Sequence, residues 1–316
     1  MQIIVYGGGA VGSLFAARLA RAGHSILLIA RPDHVRAIAE RGLQVEGTTE
    51  ESVRLTAASE IATGSGAEAA LLTVKTFDLA DAARRLARAL PTPVPTLLPQ
   101  NGLGVETLAE EGLAAGGWRA PADWTVRAVS TVPATWIAPG VVRAAGTGEL
   151  LLPGPSGTGK DALVGRFERL FAGAGIPTRL VPEFDREVWR KALVNAAINP
   201  VTAVRGVPNG RLLDEPLRSE ALGLLREALA AARANGFDFS ESEAVRDLER
   251  IARATATNRS SMLQDIERGR PTEIDAISGE LLRRAGAHGL DLPLTRKIIA
   301  EIQRRATGRA GRPQPS

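Results

Sequence analysis

Lys191, Asn195 and Asn199 recur every fourth residue in the stretch Trp189-Arg-Lys-Ala-Leu-Val-Asn-Ala-Ala-Ile-Asn199-Pro200. On an α-helix each such step turns about 40° and rises roughly 6 Å, so one ammonium and two amides form a polar line along a single wall. An ammonium can give up a proton, and amides can hold oxygen atoms without competing for it, which suits a small polar ligand. A solvated helix face is the alternative. The neighbours oppose it, because Val188, Leu193, Val194, Ala196, Ala197, Ile198 and Val201 stand where a solvent face would carry Glu, Arg and Gln. Buried polar groups need partners, since leaving one unpaired costs about 1–3 kcal/mol. Those partners are either a ligand or an internal hydrogen-bond network. Pro200 is expected to bend this helix or to remove one of its hydrogen bonds.

A second chemical motif opens the chain. Gly7, Gly8, Gly9, Ala10, Val11 and Gly12 directly follow the strand-like run Gln2–Tyr6 and precede an amphipathic helix over 11–22. In that setting G-x-G-x-x-G is a dinucleotide-binding turn: Gly7 for the tight turn, Gly9 for the approach of a pyrophosphate, Gly12 for close helix–strand packing. The second strand-like run, Ser25–Ile29, is followed by Ala30-Arg31 rather than by an acidic residue that would hold a ribose hydroxyl. An arginine there can pair with a 2′-phosphate, which favours NADPH over NADH, unless it is one more surface arginine. Lys75 in Thr73-Val-Lys-Thr76 and Asn101 in Pro99-Gln-Asn-Gly102 fall just past strand ends, the edge where open parallel sheets bind ligands. Both are expected as cofactor or substrate contacts.

The elements that must position these groups alternate in the first half: strands over 3–6, 25–29, 69–74 and 95–98, helices over 11–22, 34–41 and 79–90. That is the pattern of a parallel sheet wound with helices. An antiparallel extension is expected over 125–133, 140–145 and 149–152. After Pro182 the strands stop, and apolar periodicity over 217–235, 245–254, 274–285 and 294–302 predicts helices. The expected fold class is α/β, with a Rossmann-type dinucleotide-binding domain over 1–182, an all-α domain over 183–307, and a disordered polar tail over 308–316.

Composition narrows the function. The 316 residues are 44% hydrophobic, without an apolar run near the roughly 18 residues that span a membrane. A strand already at Gln2 predicts no secretory or transit segment, so the cytoplasm is the default location. Cysteine is absent and the three histidines (His24, His34, His288) are scattered, so neither thiolate chemistry nor a metal site is expected. The net charge is +4, with basic residues spread among acidic ones and not interleaved with aromatics. This argues for anionic small molecules over nucleic acid. The apolar second-half helices suit a monomer's core and a homodimer interface equally.

In the second half Asn209-Gly210 marks a turn, Asn258-Arg-Ser-Ser261-Met-Leu-Gln-Asp265 combines helix-start chemistry with small polar groups, and Glu273 lies in Arg270-Pro-Thr-Glu-Ile-Asp275. Thr272 or Glu273 is also a simple helix cap in this context. Together, Glu187-Val-Trp-Arg-Lys191-x3-Asn195-x3-Asn199-Pro200-Val-Thr-Ala and Asn258-Arg-Ser-Ser261-Met-Leu-Gln-Asp265-x7-Glu273-Ile-Asp275 resemble the 2-dehydropantoate 2-reductase (ketopantoate reductase) family. The likeness runs from the Gly7 loop to about Arg305.

That resemblance implies NADPH-dependent reduction of 2-dehydropantoate to (R)-pantoate on the route to pantothenate and coenzyme A. It makes Lys191 the proton donor and Glu273 a partner of the lysine, substrate or cofactor. Asn195, Asn199, Asn209 and Ser261 would hold the substrate beside Lys191. Lys75 and Asn101 would line the nicotinamide side, Arg31 would take the 2′-phosphate, and Ala134 would face the cofactor. The likeness is looser over 112–155, where family members tend to have glycine-containing segments near Arg127-Ala128 and after Leu152. Two rivals follow: a reductase of another branched 2-oxo acid, and a non-catalytic NADPH-binding sensor on the same fold.

Overall fold

The computed structural model describes residues 1–47 and 50–309. The chain divides into two units, one of residues 1–100 and 105–184, the other of 101–104 and 185 onward.

The first unit contains β1 (Gln2–Tyr6), α1 (Ala10–Arg21), β2 (Ser25–Ile29), α2 (Pro32–Arg41), β3 (Leu43–Glu46), β4 (Glu51–Val53), β5 (Thr56–Ala58), β6 (Ala69–Leu72), α3 (Leu79–Ala89), β7 (Thr96–Leu98), α4 (Val105–Ala115), β8 (Thr125–Arg127), β9 (Val129–Ser130), β10 (Ala134–Ala138), β11 (Val141–Ala144), β12 (Leu150–Pro153), α5 (Lys160–Gly173) and β13 (Thr178–Val181). Its main sheet runs β5-β2-β1-β6-β7-β8 with every pairing parallel. Alternation along the central strands explains the layers. Ile3, Val5, Ala69 and Leu71 join α1 and α5 on one face, whereas Ile4, Ala70 and Leu72 join α3 and α4 on the other. On the first face Phe15 meets Phe171 edge-on, ring centroids 5.1 Å apart.

Two small sheets complete the unit, β10-β11-β3-β4 and β13-β12-β9. The stretch 125–133 does not form a single antiparallel extension as expected. Thr125–Arg127 is buried on both sides and pairs parallel to β7, so it closes the main sheet, and only Val129–Ser130 runs antiparallel, to β12.

The second unit is helical: α6 (Phe184–Arg205, which begins one residue inside the first unit), α7 (Leu217–Ala234), α8 (Glu241–Ala254), α9 (Ser261–Glu267), α10 (Glu280–Gly286) and α11 (Pro293–Arg309). Leu193, Ala197, Val201 and Val204 of α6 pack with Leu225, Ala228 and Ala232 of α7, Leu248 of α8 and Leu281 of α10 in one core. Ser240 starts α8 by accepting the Glu243 N–H, a local stop and start legible in Ser-x-x-Glu. A π-helical turn, Asp275–Gly279, leads into α10. α6 continues past Pro200, whose missing N–H removes a hydrogen bond without ending the helix. Of the expected tail, Gly308 and Arg309 belong to α11, and 310–316 lie outside the described residues. Among the described residues no helix is long and apolar enough to cross a membrane.

Candidate functional site

At the carboxyl end of β1, the N–H groups of Gly7 and Gly8 both donate to Ile29 O, at 3.0 and 2.9 Å, which fastens the turn to the end of β2. Gly7 has φ +126°, and a Cβ on it would lie 2.5 Å from Val74 N. A Cβ on Gly12 would lie 2.1 Å from Gly7 O and 2.4 Å from Thr73 Oγ1, the hydroxyl that donates to Gly7 O at 2.9 Å. Gly9 differs from both. It is the exposed N-cap of α1, and a Cβ there would meet nothing within 4 Å. The first turn of α1, which begins at Ala10 and Val11, holds no acidic residue and no side-chain cap, so its leading N–H groups face outward as an anion cradle. The residues present therefore fit a dinucleotide's pyrophosphate, with Gly9 leaving room that a side chain would fill.

His34 braces this corner. Its Nδ1 lies 2.8 Å from the Gly140 N–H, which can only donate, so the imidazole proton sits on Nε2 and points at Ser13 Oγ, 3.1 Å away. Burial holds the His34 pKa below the usual histidine range. One neutral histidine thus ties α1, α2 and the β10–β11 turn together.

Arg31 is the exposed N-cap of α2, just past β2. Lys75, half-buried, heads the 3-10 turn Thr76–Asp78 just past β6. Ala134 opens β10 opposite Ala144 and packs on the core beneath α1. Three residues at this edge escaped the sequence reading. Tyr6 ends β1, with burial raising its phenol pKa, and Phe77 is 51% exposed. Partial burial pushes the Asp78 carboxyl up against the pull of the Arg31 guanidinium. Phe77 and Asp78 carried a signal only in standing two and three places after Lys75.

In the helical unit, α6 carries Lys191 and Asn195 half-buried and Asn199 buried, in line along a helix whose Ala192, Leu193, Val194, Ala196, Ala197 and Ile198 are all buried. Close by, the Thr202 and Ser260 hydroxyls lie 2.7 Å apart, and Thr202 Oγ1 also reaches Ile198 O at 2.8 Å. Ser260 caps α9 through the Leu263 N–H, which leaves Ser261 exposed at the head of that helix. Asn209, 7% exposed, donates its backbone N–H to Asn258 O at 2.9 Å, so the 209 turn and the segment leading to Ser261 are joined.

The orientation of the Asn209 amide is fixed chemically. Thr255 gives its only hydroxyl hydrogen to Ile251 O at 2.7 Å, so it must accept from Asn209 Nδ2 at 2.9 Å. Asn209 Oδ1 is then buried without a hydrogen-bond partner among the described residues, an acceptor suited to a ligand's O–H or N–H. Glu273 is buried, its backbone carbonyl accepting the Ile277 N–H at 3.0 Å just ahead of the π-helical turn, while the Thr272 hydroxyl takes the Ile274 N–H. Asn101 belongs to this unit too. Its loop places Leu103 in the helical core, and Gly102, at φ +89°, comes so close to Ala276 that a Cβ would lie 2.4 Å from Ala276 O. Gln100, one residue earlier, instead donates to Leu72 O at 2.5 Å within the first unit.

One unit thus holds the Gly7–Gly12 turn with Arg31, Lys75 and Ala134, and the other holds Asn101, Lys191, Asn195, Asn199, Asn209, Ser261 and Glu273. Residues 3–156 match the family described as ketopantoate reductase PanE/ApbA, and residues 183–306 match its C-terminal part. The chain belongs to the ketopantoate reductase family. Among relatives of this family, the 2-dehydropantoate 2-reductase of Halobacterium salinarum is 33% identical over 97% of this chain and 99% of its own. That of Pyrococcus horikoshii is 35% identical over 96% and 97%. A crystal structure of a PanE/ApbA family ketopantoate reductase from Ralstonia eutropha superposes with a TM-score of 0.84 at 32% identity, covering 98% of this chain and 99% of that one. D-mandelate dehydrogenase with NADH shares the fold at a TM-score of 0.89, with 23% identity.

Proposed function

We propose that this chain reduces 2-dehydropantoate to (R)-pantoate with NADPH, on the route to pantothenate and coenzyme A. The observation that carries the reading is the half-buried Lys191 ammonium in line with Asn195 and Asn199 on one buried helix. NADPH, when bound, supplies the hydride. The protein's own task is then to hold the 2-oxo acid and to meet the negative charge that develops on the ketone oxygen. Lys191 Nζ stabilises that oxygen and gives it a proton, a contribution of typically 10²–10⁴-fold. Asn195 and Asn199 hold substrate oxygens without offering a competing acid. Asn209 Oδ1, a buried acceptor with its direction fixed, suits a substrate hydroxyl, and Ser261 and Asn101 add donors. Glu273, a buried carboxylate, serves as a partner of the lysine, the substrate or the cofactor. Gly7 to Gly12 hold the pyrophosphate, Arg31 the 2′-phosphate, and Lys75, Asn101 and Ala134 the nicotinamide side. The enzyme works in the cytoplasm, as a monomer or homodimer that sizing in solution will distinguish.

The test is oxidation of NADPH with 2-dehydropantoate and a panel of other 2-oxo acids. Preferred turnover of 2-dehydropantoate is the expected result. A better substrate elsewhere in the panel would replace the name of the acid, and tight NADPH binding without turnover of any would remove the enzymatic reading.

A further inference from the structure

The reading of Arg31 as the 2′-phosphate partner leaves an anion within its electrostatic reach, Asp78, unexplained. Tyr6 lies abreast of Ile29 on one side and Leu72 on the other, so β1 is flanked by the strands that lead to Arg31 and to Asp78. With neighbouring strands about 4.8 Å apart, the segments that lead to the two residues leave the same sheet edge on either side of the Gly7 turn. Asp78 ends the 3-10 turn that starts at Lys75, occupies the N-cap of α3 without making a side-chain cap, and is exposed. Its carboxylate is therefore not spent on holding the helix. Arg31 is the cation whose charge acts on it, whereas Asp81, one turn later, is ion-paired with Arg84 and Arg85.

We infer that Asp78 is a specificity-determining residue that narrows the preference for NADPH over NADH, by setting a negative charge against the 2′-phosphate that Arg31 attracts. A phosphate carrying more than one negative charge is repelled by a carboxylate at the same sheet edge, and a 2′-hydroxyl is not. The carboxylate is also a competent acceptor for that hydroxyl. Both effects lower the ratio of NADPH to NADH affinity.

The inference rests on the cofactor assignment above, and direct binding separates the two. Dissociation constants for NADPH and NADH would be measured by calorimetry on the full chain, for the wild type, Asp78→Asn and Asp78→Lys, with melting curves to confirm folding. The expected result is NADPH bound about 3- to 10-fold more tightly by Asp78→Asn, NADH changed by less than about twofold, and a further shift the same way in Asp78→Lys. Because the effect is a surface charge interaction, the gain should shrink in about 0.5 M salt. An unchanged ratio, a fall in it, or equal movement of both dinucleotides overturns the inference while leaving the cofactor assignment intact. Failure of the wild type to bind either dinucleotide overturns both.

Discussion

Gly9 and Gly12 belong to one motif, yet they face opposite surroundings, and alanine at each should separate ligand binding from folding. At Gly12 the new methyl carbon would have to retreat by about 1 Å from Gly7 O to reach an ordinary carbon–oxygen contact, and it would break into the Thr73 hydroxyl that donates to the same carbonyl. Overpacking of this kind costs about 1–3 kcal/mol, and at about 2–4 °C per kcal/mol for a domain of this size the melting temperature should fall by about 2–12 °C. At Gly9, φ −81° and ψ −168° are open to any residue, and the methyl group meets no protein atom within 4 Å. Loss of glycine at an N-cap, up to about 1 kcal/mol, is offset by the 0.4–1 kcal/mol gained from a stiffer unfolded chain, so Gly9→Ala should melt close to the wild type. On the proposed cofactor assignment, its methyl group instead stands where the pyrophosphate would approach. Loss of one charge-assisted hydrogen bond, about 1.5–3 kcal/mol, weakens NADPH binding by roughly 10- to 100-fold. Scanning fluorimetry reads the first quantity and calorimetry the second. The reasoning is refuted if Gly9→Ala binds NADPH within about twofold of the wild type, or if Gly12→Ala is as stable as the wild type.

Lys191→Ala should lower turnover by about 10²–10⁴-fold while NADPH affinity stays within about twofold, measured by steady-state kinetics beside calorimetry; retained turnover would exclude the lysine as the acid. Thr202→Val keeps the shape of a buried side chain but strips the hydroxyl from Ile198 O and from Ser260, so a destabilisation of about 1–3 kcal/mol is expected as a lower denaturant midpoint at unchanged slope. Burial lowers the His34 pKa in the folded protein, so the unfolded chain binds the proton more readily. Its contribution to stability is complete above the unfolded value near 6.5 and is lost as the pH falls through the folded value. His34→Gln should therefore flatten the loss of stability between about pH 7 and 5, and an unchanged slope in denaturant titrations would dismiss this role.

Much of this fold was legible in the chain because its signals are local. Ile3 to Tyr6, the glycine turn and α1 sit within one strand–turn–helix unit, so spacing alone located that unit. The polar line on α6 was equally local, being helical geometry applied to three residues. Of the small sheet of β3, β4, β10 and β11, only β11 was legible, within the strand expected over 140–145. Its strands are three to five residues long, and β3 meets β11 across about half of the domain's sequence, Gln44 beside Val141. Thr125–Arg127 misled for a related reason, because a strand buried on both faces loses the alternation that distinguishes an outer strand from an inner one. Pro200 within a continuous α6 shows packing overriding a local rule, since one missing hydrogen bond is small beside the apolar surface that this helix buries.

The sequence by itself determined which groups could do chemistry: a lysine with amides at helical spacing, a phosphate turn after a strand, and an arginine where an acid would have favoured NADH. Only the tertiary structure decided what each group faces. It set Gly12 against Thr73 while leaving Gly9 open, turned the Asn209 side-chain carbonyl into a buried acceptor through Thr255, and brought the segments that lead to Arg31 and Asp78 to one sheet edge. Spacing along a chain fixes geometry within one helix or turn. The distance between residues on different strands is fixed only when the sheet has ordered those strands.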